Sequence, residues 1–253
     1  MADSVHSFLL RFRIGPPVVL AAAFLVASCS RTPHQPDRRP TSDVHYTGAM
    51  RNVMWRGELA GTIDLDTIAD KSHLYGVGPV EFLTGEITLL DGEPFVAAIA
   101  ADSTLLVKKM PRIKAPFFVY ANVGRWTESS LPDSVRSLPT LEHYLDRITA
   151  TARRPFAFRL SGRIDSAVVH VVNLPRGSAV HSPDDAHRGE RIFHLPSSDA
   201  DIVGFFSTQH QGIFTHHDTY LHMHLITANR SAMGHLERAS FSPGAVKLFL
   251  PAE

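Results

Sequence analysis

Cysteine is nearly absent from this chain, because Cys29 is the only one among 253 residues. Without a second cysteine no intrachain disulfide can form, so the stability of the fold must come from its core. A net charge is missing as well, since 25 Lys and Arg balance 25 Asp and Glu. No basic excess points to nucleic acid, and we expect no nucleic-acid partner.

The apolar stretch near the start of the chain is too short to span a bilayer comfortably as a helix. It covers residues 14–27 and follows two arginines, which is the arrangement of an export signal. Residues 26–29 (Val-Ala-Ser-Cys) resemble the bacterial lipobox, in which the cysteine is lipidated and becomes the mature N-terminus. We therefore predict a lipoprotein signal peptide over residues 1–28 and a membrane anchor on Cys29. The protein would then be an exported lipoprotein at the periplasmic or outer-membrane face of a bacterium. A plain secretory signal with an incidental cysteine is the alternative.

The segment that follows the predicted signal is poor in apolar residues. Residues 30–43 hold three prolines and three arginines, so they cannot bury enough surface to fold. We predict a flexible tether over residues 29–44 and one folded domain over residues 45–253. The hydrophobic content of the chain, 44%, is ordinary for a protein with a core.

Local patterns in this domain indicate many strands and a few helices. Residues 86–90 and 94–99 are largely apolar and flank Asp91-Gly92, which supplies the positive φ values of a type I′ turn, so they predict a β-hairpin. Apolar residues recur at helical spacing over residues 141–148, which predicts an amphipathic helix with Thr140 as its N-cap. Other expected elements are a helical segment near residues 50–54, a short helix over residues 63–69 capped by Thr62, a polar loop over residues 181–190, and strands over residues 117–123, 157–161, 167–174, 202–207, 235–241 and 245–250. The expected fold class is α+β, with mixed β-sheets, few helices and two sheet-rich subdomains.

The strand over residues 219–227 carries the strongest chemical signal. Its period of two places His222 and His224 on one face, and the turn-forming residues 228–231 follow. If the chain folds back there as a hairpin, His235 lies opposite His224. Cross-strand neighbours have Cβ atoms about 5 Å apart, which is close enough for three imidazoles to share one ion. Three neutral histidines with an open position suit a catalytic zinc ion. Ordinary half-exposed strand histidines are the alternative.

Two longer segments carry a family resemblance. Residues 74–93 contain, in order, the Gly-x-Gly, Gly85-Glu86 and Asp91-Gly92 motifs that are typical of α-acetolactate decarboxylases. Residues 204–235 are similar to that family's run of Gly-Phe, Gly-Ile, His-x-His and Gly-His. The resemblance extends from residue 46 to about residue 241, and the combination of these motifs at these separations is specific.

The resemblance implies a zinc enzyme that converts 2-acetolactate to acetoin and CO2. His222, His224 and His235 would be the zinc ligands, at a site between the two sheet-rich subdomains. Glu86, which from its strand pattern alone would be an edge residue facing water, would handle protons. Loss of CO2 leaves an enolate charge that a Lewis acid on the ketone oxygen stabilises. A small acetolactate-like substrate and a homodimer are implied as well.

The chain departs from the family pattern where that pattern has an arginine. Counting from Gly162 places His170 at this position. A histidine is only weakly charged at neutral pH and lacks the bidentate fork of arginine. We assign His170 to the site, and the alternatives are that it orients another group or is an ordinary strand residue. For the acidic residue that the family contributes from its C-terminal tail, Glu237 and Glu253 are the candidates.

Three functions remain open at this point. The first is metal-dependent decarboxylation of 2-acetolactate. The second is a zinc lyase or hydrolase that acts on another hydroxy-keto acid, with His170 as acid or base. The third is an exported lipoprotein that binds metal or a small ligand without turnover. Acetoin release by the metal-loaded protein separates the first function from the other two.

Overall fold

The structure is a computed structural model that describes residues 42–101 and 103–252. The predictions for Cys29, for the signal peptide and for Glu253 lie outside the described residues, as does most of the predicted tether. Within the described ranges, no helix combines the length and the apolar character needed to cross a membrane.

The described residues form sixteen strands, three α-helices and two 3₁₀ turns. The first eight strands are β1 (His45–Thr47), β2 (Ile63–Asp64), β3 (Leu74–Pro79), β4 (Glu86–Leu90), β5 (Glu93–Ile99), β6 (Leu105–Lys109), β7 (Lys114–Ala115) and β8 (Phe118–Asn122). The other eight are β9 (Trp126–Ser130), β10 (Phe156–Ile164), β11 (Ser166–Val171), β12 (Arg191–Leu195), β13 (Ser198–Phe206), β14 (Leu221–Thr227), β15 (Met233–Ser240) and β16 (Val246–Pro251). The helices are α1 (Met50–Arg56), α2 (Leu138–Ile148) and α3 (Pro183–Ala186).

The strands form two large antiparallel sheets and one small ribbon. The smaller of the two sheets has six strands in the order β1-β8-β3-β4-β5-β6. The larger sheet has eight strands in the order β12-β11-β15-β14-β13-β10-β16-β9. Strands β2 and β7 form the ribbon. The predicted α+β class with two sheet-rich parts and few helices is confirmed.

The hairpin of β4 and β5 follows the sequence prediction closely. Asp91 and Gly92 have φ angles of 51° and 82°, as a type I′ turn requires. Glu86 pairs with Ala97, and the register continues to the pair Leu90 and Glu93. Every residue of β4 is buried, so its two faces pack on opposite sides of the smaller sheet. The predicted hairpin is confirmed.

Helix α2 is capped by a residue three positions before the predicted one. Ser137 has the extended backbone of an N-cap, and its N–H donates to Thr140 Oγ1 at 3.0 Å. Thr140 is therefore the third helical residue of a capping box rather than the cap itself. The prediction of Thr140 as N-cap was wrong because Leu138 and Pro139 precede it in the first turn, where proline is tolerated.

Two other local predictions differ from the structure. Instead of a helix over residues 63–69, β2 pairs with β7 and a 3₁₀ turn follows at Leu65–Thr67. The Asp64 side chain accepts from the N–H of Asp66, and this local bond favours a turn over a helix. Residues 181–190, expected as a loop, contain α3, because the Ser182 side chain accepts from the N–H of Asp185 and caps it.

The larger sheet packs differently on its two faces. One face is covered by α2, which buries Leu141 and Leu145 against the sheet. The other face meets the smaller sheet, and Phe205 and Ile226 lie in that interface. On β14, Met223 and its neighbours at i±2 belong to the core beneath α2. The alternate residues of β14 therefore face the smaller sheet, and this places the histidines between the sheets.

Candidate metal centre

Three histidines converge on the face of the larger sheet that meets the smaller one. His222 and His224 lie on β14, and His235 on β15 pairs directly with His224. The turn between the strands includes Arg230, which has a positive φ of 58°. The predicted hairpin register is thus confirmed. One ring nitrogen from each histidine lies within 4.8 Å of those of the other two, and all three residues are buried.

Two of these ring nitrogens have nothing to bind among the described residues. Nδ1 of His222 and Nε2 of His224 are buried and lack a hydrogen-bond partner. The other ring nitrogen of His224 contacts Thr88 Oγ1 at 3.2 Å, which holds the ring in place. A buried polar atom without a partner is unfavourable, and a metal ion would satisfy both nitrogens at once. The donor set of three histidines fits zinc, although it also suits other divalent ions.

The three rings are held in the neutral form that a metal ion requires. Burial, together with the smaller effect of the charge of His170, lowers the pKa of His224 to about 3. Burial also brings the pKa values of His222 and His235 well below their ordinary range, and the neighbouring histidines add to the effect. Each imidazole therefore keeps a lone pair at neutral pH.

Glu86 reaches the cluster from the smaller sheet. It lies at the start of β4 and is only 3% exposed, so the alternative of an edge residue facing water is wrong. Its Oε1 accepts from the N–H of Val172 at 3.3 Å, and its Oε2 lies 3.6 Å from Nε2 of His224. Burial raises the pKa of Glu86 to about 7, against the opposing effects of His170 and of the Val172 N–H. Near neutral pH the carboxyl can therefore both give and take a proton.

His170 continues the row of histidines across the larger sheet. It lies on β11 opposite His235, and the two rings stack with centroids 4.7 Å apart. The strands approach closely because Gly234 has no side chain, and a Cβ there would lie 2.5 Å from the carbonyl oxygen of His170. Nε2 of His170 is 3.8 Å from Oε1 of Glu86. The structure thus brings all five predicted site residues within the described part of the chain into one cluster.

Carboxylates surround His170. Its Nδ1 lies 2.6 Å from Oε1 of Glu237, and its Nε2 lies 4.0 Å from Oε2 of Glu190. Burial would lower the pKa of His170, but the hydrogen bond to Glu237 and the charges of Glu86 and Glu190 outweigh burial and raise it. The hydrogen bond to His170 is in turn the main cause of the lowered pKa of Glu237. This position therefore favours a charged imidazole.

Sequence reasoning missed three residues of this site. Glu190 lies in a segment whose only signal was polarity, and nothing in the sequence brings it to β11. The adjacent His216 and His217 predict only that one or both are solvated; His217 is exposed, but the ring of His216 packs against that of His235 with centroids 4.9 Å apart. Thr88 could have been found, because it shares the inward face of β4 with Glu86 at a spacing of two residues.

A crevice of about 350 Å³ leads to this cluster from the start of α2. Glu142 of α2 accepts from the N–H of Tyr220 at 2.8 Å and from the hydroxyl of Thr219, which fixes the segment before β14 against the helix. The described residues that line the crevice include His235 and Glu237 but no lysine or arginine. A larger groove of about 960 Å³, near Phe82, lies apart from the cluster.

Comparisons with known proteins agree on one family. The family model described as alpha-acetolactate decarboxylase matches residues 46–250. The structure of alpha-acetolactate decarboxylase from Bacillus subtilis strain 168 is similar at 18% identity and a TM-score of 0.68, over 83% of this chain and 86% of that one. A Staphylococcus aureus protein of unknown function, similar to alpha-acetolactate decarboxylase, matches at 17% identity and a TM-score of 0.67 over the same shares. At these identities the two structures show the fold alone. No curated protein matches.

Proposed function

The chain belongs to the alpha-acetolactate decarboxylase family, and we propose that it decarboxylates 2-acetolactate to acetoin and CO2. Family and fold support a carboxy-lyase that acts on a small molecule. One observation supports the specific reaction most strongly. A buried carboxyl with a pKa of about 7 faces a trio of buried histidines in which two nitrogens have no partner among the described residues.

The proposed cofactor is zinc, held by His222, His224 and His235. Three protein ligands leave a position open for substrate, which is the arrangement of catalytic zinc sites. Bound there, the ion would act as a Lewis acid that stabilises the negative charge developing on the substrate's ketone oxygen. Thr88 supports this set, because its contact with Nδ1 of His224 leaves Nε2 facing inward.

Glu86 is the proposed proton donor. When the bond to the carboxylate carbon breaks, its electron pair passes into the ketone and leaves an enediolate, which needs one proton at carbon to become acetoin. The Val172 N–H fixes Oε1 of Glu86, and Oε2 lies beside Nε2 of His224, at the edge of the histidine cluster. A carboxyl whose pKa is near the working pH suits this transfer.

His170 is proposed to bind the substrate's carboxylate. It takes the position at which the family pattern has arginine, and its raised pKa favours the charged form. A single imidazole N–H offers one directed donor, whereas an arginine offers two in a fixed fork. The substrate would therefore be held less firmly than by an arginine.

Acetoin release tests this function directly. Zinc-loaded protein is incubated with racemic 2-acetolactate, and acetoin and bound zinc are measured on the same preparation. We expect Glu86→Gln to lower turnover by about 10²- to 10⁴-fold with zinc still bound. The control is Glu93→Gln, which alters an exposed glutamate paired with Lys109 on the same sheet and should leave turnover unchanged. No acetoin from the unsubstituted, zinc-loaded protein would contradict the proposal.

A second candidate is a lyase or hydrolase that acts on another hydroxy-keto acid. The surroundings of His170 favour it, because a single imidazole among carboxylates holds a substrate carboxylate less firmly than the arginine of the family pattern would. A panel of 2-hydroxy-3-keto acids of increasing charge and size would separate the candidates by their kcat/KM values. Binding of these acids without any turnover would instead favour a ligand-binding protein.

The protein is further proposed to be a lipoprotein anchored through Cys29 and to form a homodimer. The support for the anchor is the lipobox-like sequence at residues 26–29. Labelled fatty acid should be incorporated into the unsubstituted protein and not into Cys29→Ser, which should leave the membrane fraction. Light scattering of the detergent-purified protein would measure the dimer.

A further inference from the structure

Glu237 lies at a β-bulge between β11 and β15. Val169 pairs with Leu236 and Val168 pairs with Arg238, so Glu237 is the extra residue of the bulged strand. A bulge disturbs the regular alternation of side chains and can aim one of them at a new target. Here the extra residue carries a carboxylate and lies only two residues after a proposed zinc ligand.

The target of this carboxylate is one edge of the His170 ring. Oε1 of Glu237 lies 2.6 Å from Nδ1, a short distance that indicates a charge-assisted hydrogen bond. The face of the same ring stacks on His235 with an angle of 20° between the planes. The ring is thus fixed at one edge and on one face. Its free edge, with Nε2, is the one that points toward Glu86, 3.8 Å away.

Glu190 contacts His170 differently. Its Oε2 is 4.0 Å from Nε2 and 3.9 Å from Nε2 of His187, and neither distance allows a hydrogen bond. Glu190 therefore contributes charge without fixing the ring. Of the carboxylates around His170, Glu237 alone among the described residues makes a hydrogen bond to it.

We propose that Glu237 is a positioning residue that acts through His170, which it holds with Nδ1 occupied and Nε2 directed at the substrate. The inference rests on the proposed function. With its Nδ1–H donated to the carboxylate, the charged His170 has one orientation and keeps its second N–H, at Nε2, for the substrate, as in other histidine–carboxylate pairs. The histidine and the bulged glutamate together would replace one arginine side chain of the family pattern. A loss of the bulge alone would then disturb the site.

The pairing is tested without turnover, by ¹⁵N NMR of histidine side chains in the zinc-free protein. The His170 signals, assigned with His170→Gln, should show a protonated Nδ1 bonded to a carboxylate. We expect Glu237→Ala to abolish this signature and Glu190→Ala to leave it in place. An unchanged His170 spectrum in Glu237→Ala would overturn the inference.

The functional consequence is tested by a double-mutant cycle with Glu237→Ala and His170→Ala. Alone, Glu237→Ala should lower kcat/KM for acetolactate by about tenfold, and in the His170→Ala background it should cause no further loss. Glu237→Gln keeps an acceptor oxygen for Nδ1–H and should recover most of the rate. Additive losses, or no recovery with glutamine, would contradict the positioning role.

The proposed function and the proposed role of Glu237 can be disproved independently of each other. If the unsubstituted, zinc-loaded protein releases acetoin but the losses are additive, the role of Glu237 is wrong and the proposed function stands. If it releases none, the proposed function is wrong, and the NMR spectra alone decide whether Glu237 fixes His170. Bound zinc is measured in every variant, because a lower zinc content in Glu237→Ala would assign its effect to His235 instead.

Discussion

The two faces of β14 serve opposite purposes with side chains that alternate along one strand. Leu221, Met223 and Leu225 face α2 and fill a core, whereas His222 and His224 face the smaller sheet. The apolar face is stabilised by burial, which is favourable. The histidine face buries polar atoms, two of which lack partners among the described residues, and this is unfavourable without an ion. One strand therefore carries both apolar side chains that stabilise the fold and buried histidines that destabilise it in the absence of an ion.

The largest effect is expected from a substitution on the histidine face of β14. His224→Ala removes a proposed ligand, and we expect no acetoin above the uncatalysed rate and no stoichiometric zinc. The zinc-free variant should lose less stability than an apolar substitution such as Leu225→Ala, because the loss of the ring's packing and of its contact with Thr88 is partly offset by removal of a buried nitrogen that had no partner among the described residues. Zinc analysis measures the bound metal, and urea unfolding measures the stability of the zinc-free protein. A large loss of stability in the zinc-free state would show that the two faces are not separable.

The next largest effect is expected from a substitution on the apolar face of β14, which leaves the histidine face unchanged. Leu225 is fully buried beneath α2, and Leu225→Ala should lower the free energy of unfolding by about 2–5 kcal/mol. Zinc bound per folded molecule should stay the same, since the side chain points away from the histidines. Thermal unfolding with and without zinc measures the change in stability. Weaker zinc binding would contradict the separation of β14 into an apolar face and a histidine face.

A third prediction concerns pH and the cost of burying Glu86. Its pKa is about 7 in the folded protein against an ordinary 4.5, so between these values the folded state binds more protons than the unfolded state. Stability present below about pH 4.5 is therefore lost as pH rises through about 7. Zinc-free Glu86→Gln should escape this loss and gain about 3 kcal/mol over the parent above neutral pH.

Urea unfolding of both zinc-free proteins across this pH range measures the gain. Glu93→Gln serves as the matched control, and because it retains Glu86 it should lose stability with rising pH as the parent does. A difference between Glu86→Gln and its parent that stays constant with pH would mean that Glu86 is ionised in the folded state.

The smallest effect is expected from a substitution that tests the role of His170. His170→Arg introduces the arginine that the family resemblance predicts at this position and, under the proposed function, a two-pronged donor for the substrate carboxylate, so we expect kcat/KM for acetolactate to rise by roughly two- to tenfold. Steady-state kinetics measures it. If the rate does not rise, either the alignment of His170 with the family arginine or the assignment of the substrate is wrong.

Local chemistry explains which features the sequence could predict. The hairpin that pairs His224 with His235 depends on alternation and on a turn only a few residues long, and both are visible in the sequence. The Asp91-Gly92 turn is likewise local. Helix α2 was found by its period, but its cap was misplaced because the choice between Ser137 and Thr140 depends on the entry of the chain into the first turn.

What the sequence alone could not predict depends on contacts between distant elements. Glu86 meets His224 only because the two sheets pack face to face, and the family resemblance rather than the strand pattern brought it to attention. The bulge at Glu237 arises from pairing with β11 and has no local signature. Glu190 and His216 come from connecting segments whose paths are set by packing.

The contact between Thr88 and His224 joins residues that are 136 positions apart in the chain. The hairpin that holds the three histidines closes over only a few residues. Short-range contacts form early in folding and long-range contacts form late, because closing a long loop costs more entropy. We therefore expect the hairpin to be able to capture a metal ion before the smaller sheet delivers Glu86. For the proposed zinc enzyme, a newly made chain would then bind its ion before it could turn over substrate.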